Sequence, residues 1–214
     1  MRTAGTTLKQ RVISTLVRQA GHPKGVVGWA VGWLFAHRPS NRQRNTWAVS
    51  LLDVRPTDRV LEIGFGPGVA IAAFANRATR GQVFGIDHSR VMVRRATRRN
   101  AAAVRAHRVH LTHASVERLP SFGDPLDAIL AVNTVGFWPD PVERLRELRH
   151  LLRPAGRIAL ISQPRSPGAT TARAAQELQD ALTQAGFAHL RVETLELDPP
   201  VACVLADNPT DLPS

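Results

Sequence analysis

The chain has 214 residues, 43% of them hydrophobic, which is enough for one domain with a sizeable core and excludes a disordered polypeptide. A single cysteine excludes a disulfide framework and a cysteine-rich zinc site, and points to a reducing, cytoplasmic compartment. The formal net charge of +11 comes almost wholly from arginine, because Lys9 and Lys24 are the only lysines; coding bias towards arginine and alanine accounts for such a balance, so nucleic-acid binding is disfavoured.

Residues 1 to about 40 read as helical. Leu8, Val12, Leu16 and Ala20 recur every four residues while Lys9, Arg11 and Arg18 take other faces, the pattern of an amphipathic helix. "GHPKG" breaks it, and a second helical stretch carries Trp29, Trp33 and Phe35. The apolar run Val26 to Ala36 is shorter than the roughly 18 to 20 residues of a transmembrane helix. It follows 25 residues and leads into "HRPSNR" without a small-residue cleavage site, which disfavours secretion. "QRNTWAVSLLDV" is a third helix. Residues 1–48 are therefore expected to form an N-terminal helical cap or lid, and 49–214 the main domain.

From Arg59 strands alternate with helices. "RVLEIG" is a strand and Pro67 to Ala78 a helix; "QVFGID" is a strand, followed by a helix from Arg90 to Ala103 capped by Ser89. "RVHLTH", "LDAILAVN" and "GRIALIS" are further strands, with helices over 141 to 152 and from Thr170 to Ala185. "LRVETLEL" and "VACVLA" close the chain, joined by a turn too short for anything but an antiparallel pair. The fold class is α/β: a doubly wound, Rossmann-like, mainly parallel seven-stranded sheet with an antiparallel last strand and an N-terminal helical extension.

In such a sheet, ligands bind beyond the carboxyl ends of the strands. The first strand runs into Gly64, Gly66 and Gly68 with Glu62 ahead of them, and the second strand ends at Asp87, placed to accept from ribose hydroxyls. A dinucleotide fingerprint needs a small residue where Val69 stands. Pro67 also has no amide proton to offer a pyrophosphate, whereas a nucleoside without phosphates would not need one. A purely structural tight turn is the plainer alternative.

"VLEIGFGPG" resembles the first motif of the class I S-adenosylmethionine-dependent methyltransferases. "GIDHS" resembles their second motif, "LDAILAVNTVGFWPDP" the motif around the fourth strand, and "LRELRHLLRPAGRIAL" the helix, turn and strand that follow. The similarity covers residues 58 to 162 and is greatest to the small-molecule branch, methyltransferase type 11, that includes quinone-biosynthesis enzymes. It implies S-adenosyl-L-methionine as methyl donor and S-adenosyl-L-homocysteine as product. Residues expected at the cofactor are Glu62, Gly64, Phe65, Gly66, Gly68, Asp87, His88, Ser115, Val116 and Asn133. The family often has an acid after the third strand to accept from the adenine amino group; "ASVERLP" puts Ser115 there, an uncharged acceptor. Asn133 faces either the cofactor or a cap.

The acceptor side is less defined. Phe137 and Trp138 are expected either at the wall of the acceptor site or in the core, and Trp29 and Trp33 over the site, on the sheet or at a membrane. "NTVG" replaces the Asn-Pro-Pro-Tyr type of motif used on amino groups of DNA bases or glutamine. Cys203, in the last strand, is out of place for methylating pyrimidine carbon. No metal-ligand cluster stands out. The expected reaction is methyl transfer to a small, apolar acceptor without an assigned catalytic base. The alternatives are a membrane-surface lipid or quinone methyltransferase, and a non-catalytic cofactor-binding or RNA-associated protein. The arginines 90, 94, 95, 98, 99, 105 and 108, with no acid among them, form either an anion-binding face or a solvated helix exterior.

Overall fold

The computed structural model of the chain describes residues 39–164 and 168–210. It opens with α1 (Pro39–Leu51) and then alternates: β1 (Arg59–Ile63), α2 (Val69–Arg77), β2 (Gln82–Asp87), α3 (Arg90–Arg99), the short α4 (Ala101–Arg105), β3 (Val109–His113) and β4 (Leu126–Val132). A 3-10 turn (Val135–Phe137) leads to α5 (Pro141–Leu151), β5 (Leu152–Ser162), α6 (Thr171–Gln184), β6 (Ala188–Leu195) and β7 (Val201–Asp207). Trp29 and Trp33 lie outside the described residues.

One seven-stranded sheet has the order β3-β2-β1-β4-β5-β7-β6. Strands β1 to β5 pair in parallel, and β7 is antiparallel to both β5 and β6. The chain builds outward from β1 to β3, then crosses back to place β4 on the other side of β1. That reversal opens a crevice at the carboxyl ends of β1 and β4, where such sheets bind ligands.

Strands β1, β4, β5 and β7 are buried on both faces and their residues divide by parity. Val60, Ala128, Leu130, Ala159, Ile161, Val201, Cys203 and Leu205 join the core under α1 to α4. Leu61, Ile63, Ile129, Ala131, Ile158, Leu160, Ala202 and Val204 join the core under α5 and α6. This is the period of two that a strand buried on both sides requires. Ala48 and Val49 of α1, fully buried, belong to the first core, and Trp47 packs against it. The expected division after residue 48 thus falls inside a helix that holds one face of the sheet.

The first described helix starts at Pro39 and ends at Leu51, where 43–54 was expected, and β6 runs Ala188–Leu195 where 190–197 was expected. Three further boundaries differ from expectation, each with a local contact beside it. Helix α2 begins at Val69 rather than Pro67, because Gly66 (φ 52°) and Gly68 (φ 74°) are left-handed. The helix expected from Arg90 to Ala103 breaks at Asn100, whose side-chain amide donates to the carbonyls of Ala96 at 2.9 Å and Gly68 at 3.2 Å. Strand β5 starts four residues before Gly156, since Leu152 already pairs with Leu126 ahead of a register shift.

Candidate cofactor and acceptor site

The glycine loop connects β1 to α2 and is anchored at three points. Gly64 donates its amide to Ile86 O at 2.8 Å, Gly66 donates to Asp87 Oδ2 at 2.8 Å, and Gly68 donates to Phe65 O at 3.0 Å. From α3, Arg99 Nε donates to Pro67 O at 2.9 Å. The three glycines serve three different needs. A Cβ on Gly64 would lie 2.4 Å from Thr134 Cγ2, and one on Gly68 would lie 2.7 Å from Ala96 Cβ of α3. A Cβ on Gly66 would meet nothing within 4 Å, so this glycine borders open space. The first and last let elements approach closely; the middle one faces the crevice.

Two carboxyls lie behind that loop. Glu62 is 1% exposed, and its Oε2 has no hydrogen-bond partner among the described residues. Burial, followed by the negative charge of Asp87, pushes its pKa well above the ordinary carboxyl range, against a lowering bond from the Ile71 amide. Asp87 accepts from the amides of Gly66 and Ser89, each at 2.8 Å. Burial raises its pKa, opposed by those two amides and by the charges of His88 and His113.

A ligand for this crevice must therefore bring donors or positive charge. Two buried carboxyls with an unused acceptor suit a ligand that brings donors, and Pro67 offers a pyrophosphate no amide. S-Adenosylmethionine fits, since it offers an ammonium group, a sulfonium and ribose hydroxyls. Glu62, Asp87 and the open face of Gly66 are the residues that would hold it.

The other expected residues are distributed as follows. Phe65 is buried and sits on Gly85 of β2, where an added Cβ would meet its Cδ1 at 2.7 Å; only the Phe65 backbone belongs to the loop surface. His88 is exposed, with Nδ1 3.9 Å from Asp87 Oδ1, and His113 Nε2 is 2.9 Å from the His88 carbonyl. Ser115 is half-buried and its carbonyl accepts from the Arg118 amide, while Val116 is buried in the second core. Asn133, at φ 55°, accepts the Gln163 amide on its Oδ1 at 2.7 Å, which ties the carboxyl end of β4 to that of β5. Phe137 is 67% exposed, whereas Trp138 packs against the second core.

Sequence reasoning missed Thr134, which closes over Gly64, and Arg44. The Arg44 guanidinium is buried and donates to Gln163 Oε1 and Asn41 Oδ1, both at 2.6 Å, joining α1 to the end of β5. No spacing rule links residues 119 positions apart; only the sheet order brings them together.

Residues 60–156 match a family described as a methyltransferase domain. Over 174 residues the chain is 29% identical to an uncharacterized methyltransferase, YdaC, of Bacillus subtilis, covering 79% of this chain and 93% of that one. It is 29% identical to a ubiquinone/menaquinone biosynthesis C-methyltransferase of Geotalea daltonii, over 58% of this chain and 54% of that protein, so the match spans about half the relative's length. A crystal structure of a SAM-dependent methyltransferase from Aquifex aeolicus shares the fold with a TM-score of 0.64 at 21% identity, covering 79% of this chain and 93% of that one. The strand order, the glycine loop with its two acids and these matches agree: residues 60–156 are a methyltransferase domain of the class I S-adenosylmethionine-dependent kind.

Proposed function

We propose that the enzyme methylates a small, apolar acceptor that enters over the carboxyl end of β4. The observation that carries this reading is the neutral chemistry of that edge. Asn133, Thr134, Val135, Gly136, Phe137 and Trp138 follow β4 without an acid, a cation or a thiol. Such a rim offers an apolar acceptor contact area and offers a charged one no partner.

The bound cofactor supplies an electrophilic methyl group on a sulfonium. The protein's own part is placement. Asp87 and Gly66 fix the loop against β2, Asn133 fixes the end of β4 against β5, and Thr134 sets the distance between them by packing on Gly64. Holding two reactants in line contributes about 7–11 kcal/mol to lowering the barrier. An acceptor that is already nucleophilic needs no side-chain base beyond that placement. His88, Ser115 and Val116 stand as the proposed adenine side of the site, and Trp29 and Trp33 as a cover over the acceptor.

A second reading, methylation of a lipid or quinone headgroup at a membrane surface, is favoured by the named activity of the Geotalea relative. Incubation with labelled methyl donor and a panel of phenols, quinols, sterols and amines tests both readings. Label recovered only in apolar hydroxyl or carbon acceptors supports the proposal. Label in amines overturns it, and donor binding without turnover on any acceptor would indicate a non-catalytic protein.

A further inference from the structure

Three side chains at the carboxyl ends of β4 and β5 fix one another's orientation. Arg44 has only donors, so the Gln163 atom it reaches at 2.6 Å is the amide oxygen, Oε1. That leaves Gln163 Nε2 to donate to Pro199 O at 2.7 Å. The Gln163 backbone amide donates to Asn133 at 2.7 Å, so the Asn133 atom there is Oδ1 and its NH2 group faces away from that bond. The Asn133 backbone amide donates to Ile161 O of β5 at 2.8 Å. Asn133 Nδ2 itself donates to no described residue.

The fold therefore uses the Asn133 oxygen and leaves its donor over. Asn133 is half-buried, at the edge of the sheet where such folds bind ligands. Strand β4 lies between β1 and β5. On its β1 side Thr134 packs on Gly64, and Glu62, Gly66 and Asp87 belong to β1, to the loop after it and to β2. The Asn133 side chain is turned to the β5 side, across β4 from the residues that would hold the cofactor. That is the acceptor's side of the crevice.

A fixed N–H discriminates between reacting atoms. A neutral amine has one lone pair, and a hydrogen bond to it occupies the pair that must attack the methyl group. A hydroxyl oxygen has two, so one takes the N–H while the other attacks. The same bond favours the ionised form of a phenol or enol, the better nucleophile. In the transfer an oxygen lone pair forms the bond to the methyl carbon. The carbon–sulfur bond breaks with its electron pair left on sulfur, and the hydroxyl proton goes to solvent.

We propose that Asn133 Nδ2 holds the reacting oxygen of a phenolic or enolic acceptor, which makes Asn133 the residue that selects oxygen over nitrogen. The inference rests on the apolar acceptor proposed above and adds the reacting atom to it. The test is labelled methyl transfer by the full chain to a set of apolar phenols, each matched by the amine of the same skeleton. Wild type should label the phenols on oxygen and the amines at least about tenfold more slowly. Asn133→Asp keeps the bond to the Gln163 amide and tolerates the left-handed φ of 55°, but puts an acceptor where the donor stood. Its kcat/KM on phenols should fall about 10- to 100-fold. Its rate relative to wild type should climb as pH falls from about 8 to about 5.5, because a protonated carboxyl donates again. Asn133→Gly, unstrained at that φ, should show the loss without the pH response. Calorimetry should give both variants an S-adenosylmethionine dissociation constant within about threefold of wild type. Wild-type phenol turnover by Asn133→Asp, a flat pH ratio, or label on ring carbon would overturn the oxygen contact and leave the apolar-acceptor reading standing. Label in the amines would overturn both, and label in none of the phenols would overturn the oxygen contact. A loss of cofactor affinity above about tenfold would assign the donor to the cofactor's own carboxylate, and overturn it as well.

Discussion

The Gly66 amide donates to Asp87 Oδ2 at 2.8 Å, so the glycine loop and the acid at the end of β2 are bonded to each other before any ligand arrives. Asp87 thereby shapes the loop as well as offering itself to ribose. Asp87→Ala would remove both functions and leave the amides of Gly66 and Ser89 without acceptors. Asp87→Asn keeps the side-chain outline and one of the two accepted bonds, from Gly66 or from Ser89, while removing the charge. Loss of one or two charge-assisted bonds costs about 2–4 kcal/mol, roughly 30- to 1000-fold in affinity. Calorimetry with S-adenosylmethionine should show that loss for Asp87→Asn with a circular dichroism spectrum like wild type. An unchanged dissociation constant would place the ribose elsewhere.

The glycine loop predicts which nucleotides are refused. S-Adenosylmethionine and S-adenosylhomocysteine should bind, and NAD should not, because Pro67 offers its pyrophosphate no amide and Val69 stands where a dinucleotide loop needs a small residue. Titration of the purified protein with each ligand decides it. Heat from NAD comparable to that from the methyl donor would contradict this reading of the loop.

Burial of Glu62 gives a pH dependence with a definite sign. Its folded-state pKa is raised above the unfolded value, so the cofactor-free protein holds a proton that the unfolded chain releases first. The associated stability is complete below the unfolded carboxyl pKa and is lost as pH rises through the folded one. Asp87 shifts in the same direction. Glu62→Gln cannot ionise and should flatten this decline, leaving the empty protein at least as stable as wild type at pH 7.5 while weakening cofactor binding. Thermal unfolding from pH 5 to 8 reads both parts. A Glu62→Gln protein that is less stable than wild type at neutral pH would show that the carboxylate is a satisfied structural group.

Gly64 and Gly66 should respond differently to the same substitution. In Gly64→Ala the new Cβ collides with Thr134 Cγ2 at 2.4 Å and sits at φ 71°, and the cost should be about 2–4 kcal/mol of stability. Adding Thr134→Ser removes the colliding methyl and should recover about half. Gly66→Ala meets no atom within 4 Å, so it should cost only the ~1–2 kcal/mol of a left-handed alanine while sharply reducing cofactor affinity. Denaturant melts and binding curves on the four proteins separate the two cases. Equal stability losses at both positions would remove the distinction between packing and ligand-facing glycines.

Much of this architecture was legible before the structure, and the reason is local. Strands buried on both faces read as short apolar runs, and a loop that must turn at left-handed angles shows its glycines openly. The unreadable part consists of contacts set by sheet order. Phe65 looks like a loop residue, yet Gly85 on the neighbouring strand gives it a seat in the core. Asn100 sits in the middle of a helical pattern, and the pattern breaks where its side chain reaches the carbonyl of Gly68, 32 residues earlier. Asn133 served either as ligand or as cap by sequence; its bond to Gln163 depends on β4 and β5 being neighbours. Thr134 carried no signal at all, since nothing in "NTVG" says which glycine it will cover.

The N-terminal segment offers the last prediction. Cutting after residue 38 leaves α1 whole from Pro39, with Ala48 and Val49 in the first core and Arg44 bonded to Gln163. The truncated protein should therefore fold and bind S-adenosylmethionine with an affinity within about threefold of wild type, since Glu62, Gly66 and Asp87 keep their partners. Acceptor handling should change, because Trp29 and Trp33, the proposed cover, go with the segment. Trp29→Ala and Trp33→Ala in the full chain should raise the acceptor KM while leaving the cofactor dissociation constant alone, the signature of a cover over the acceptor and not of a core element. A truncated chain that cannot fold would make the segment part of the core. One that folds and turns over its acceptor at the wild-type rate would leave the segment no part in catalysis.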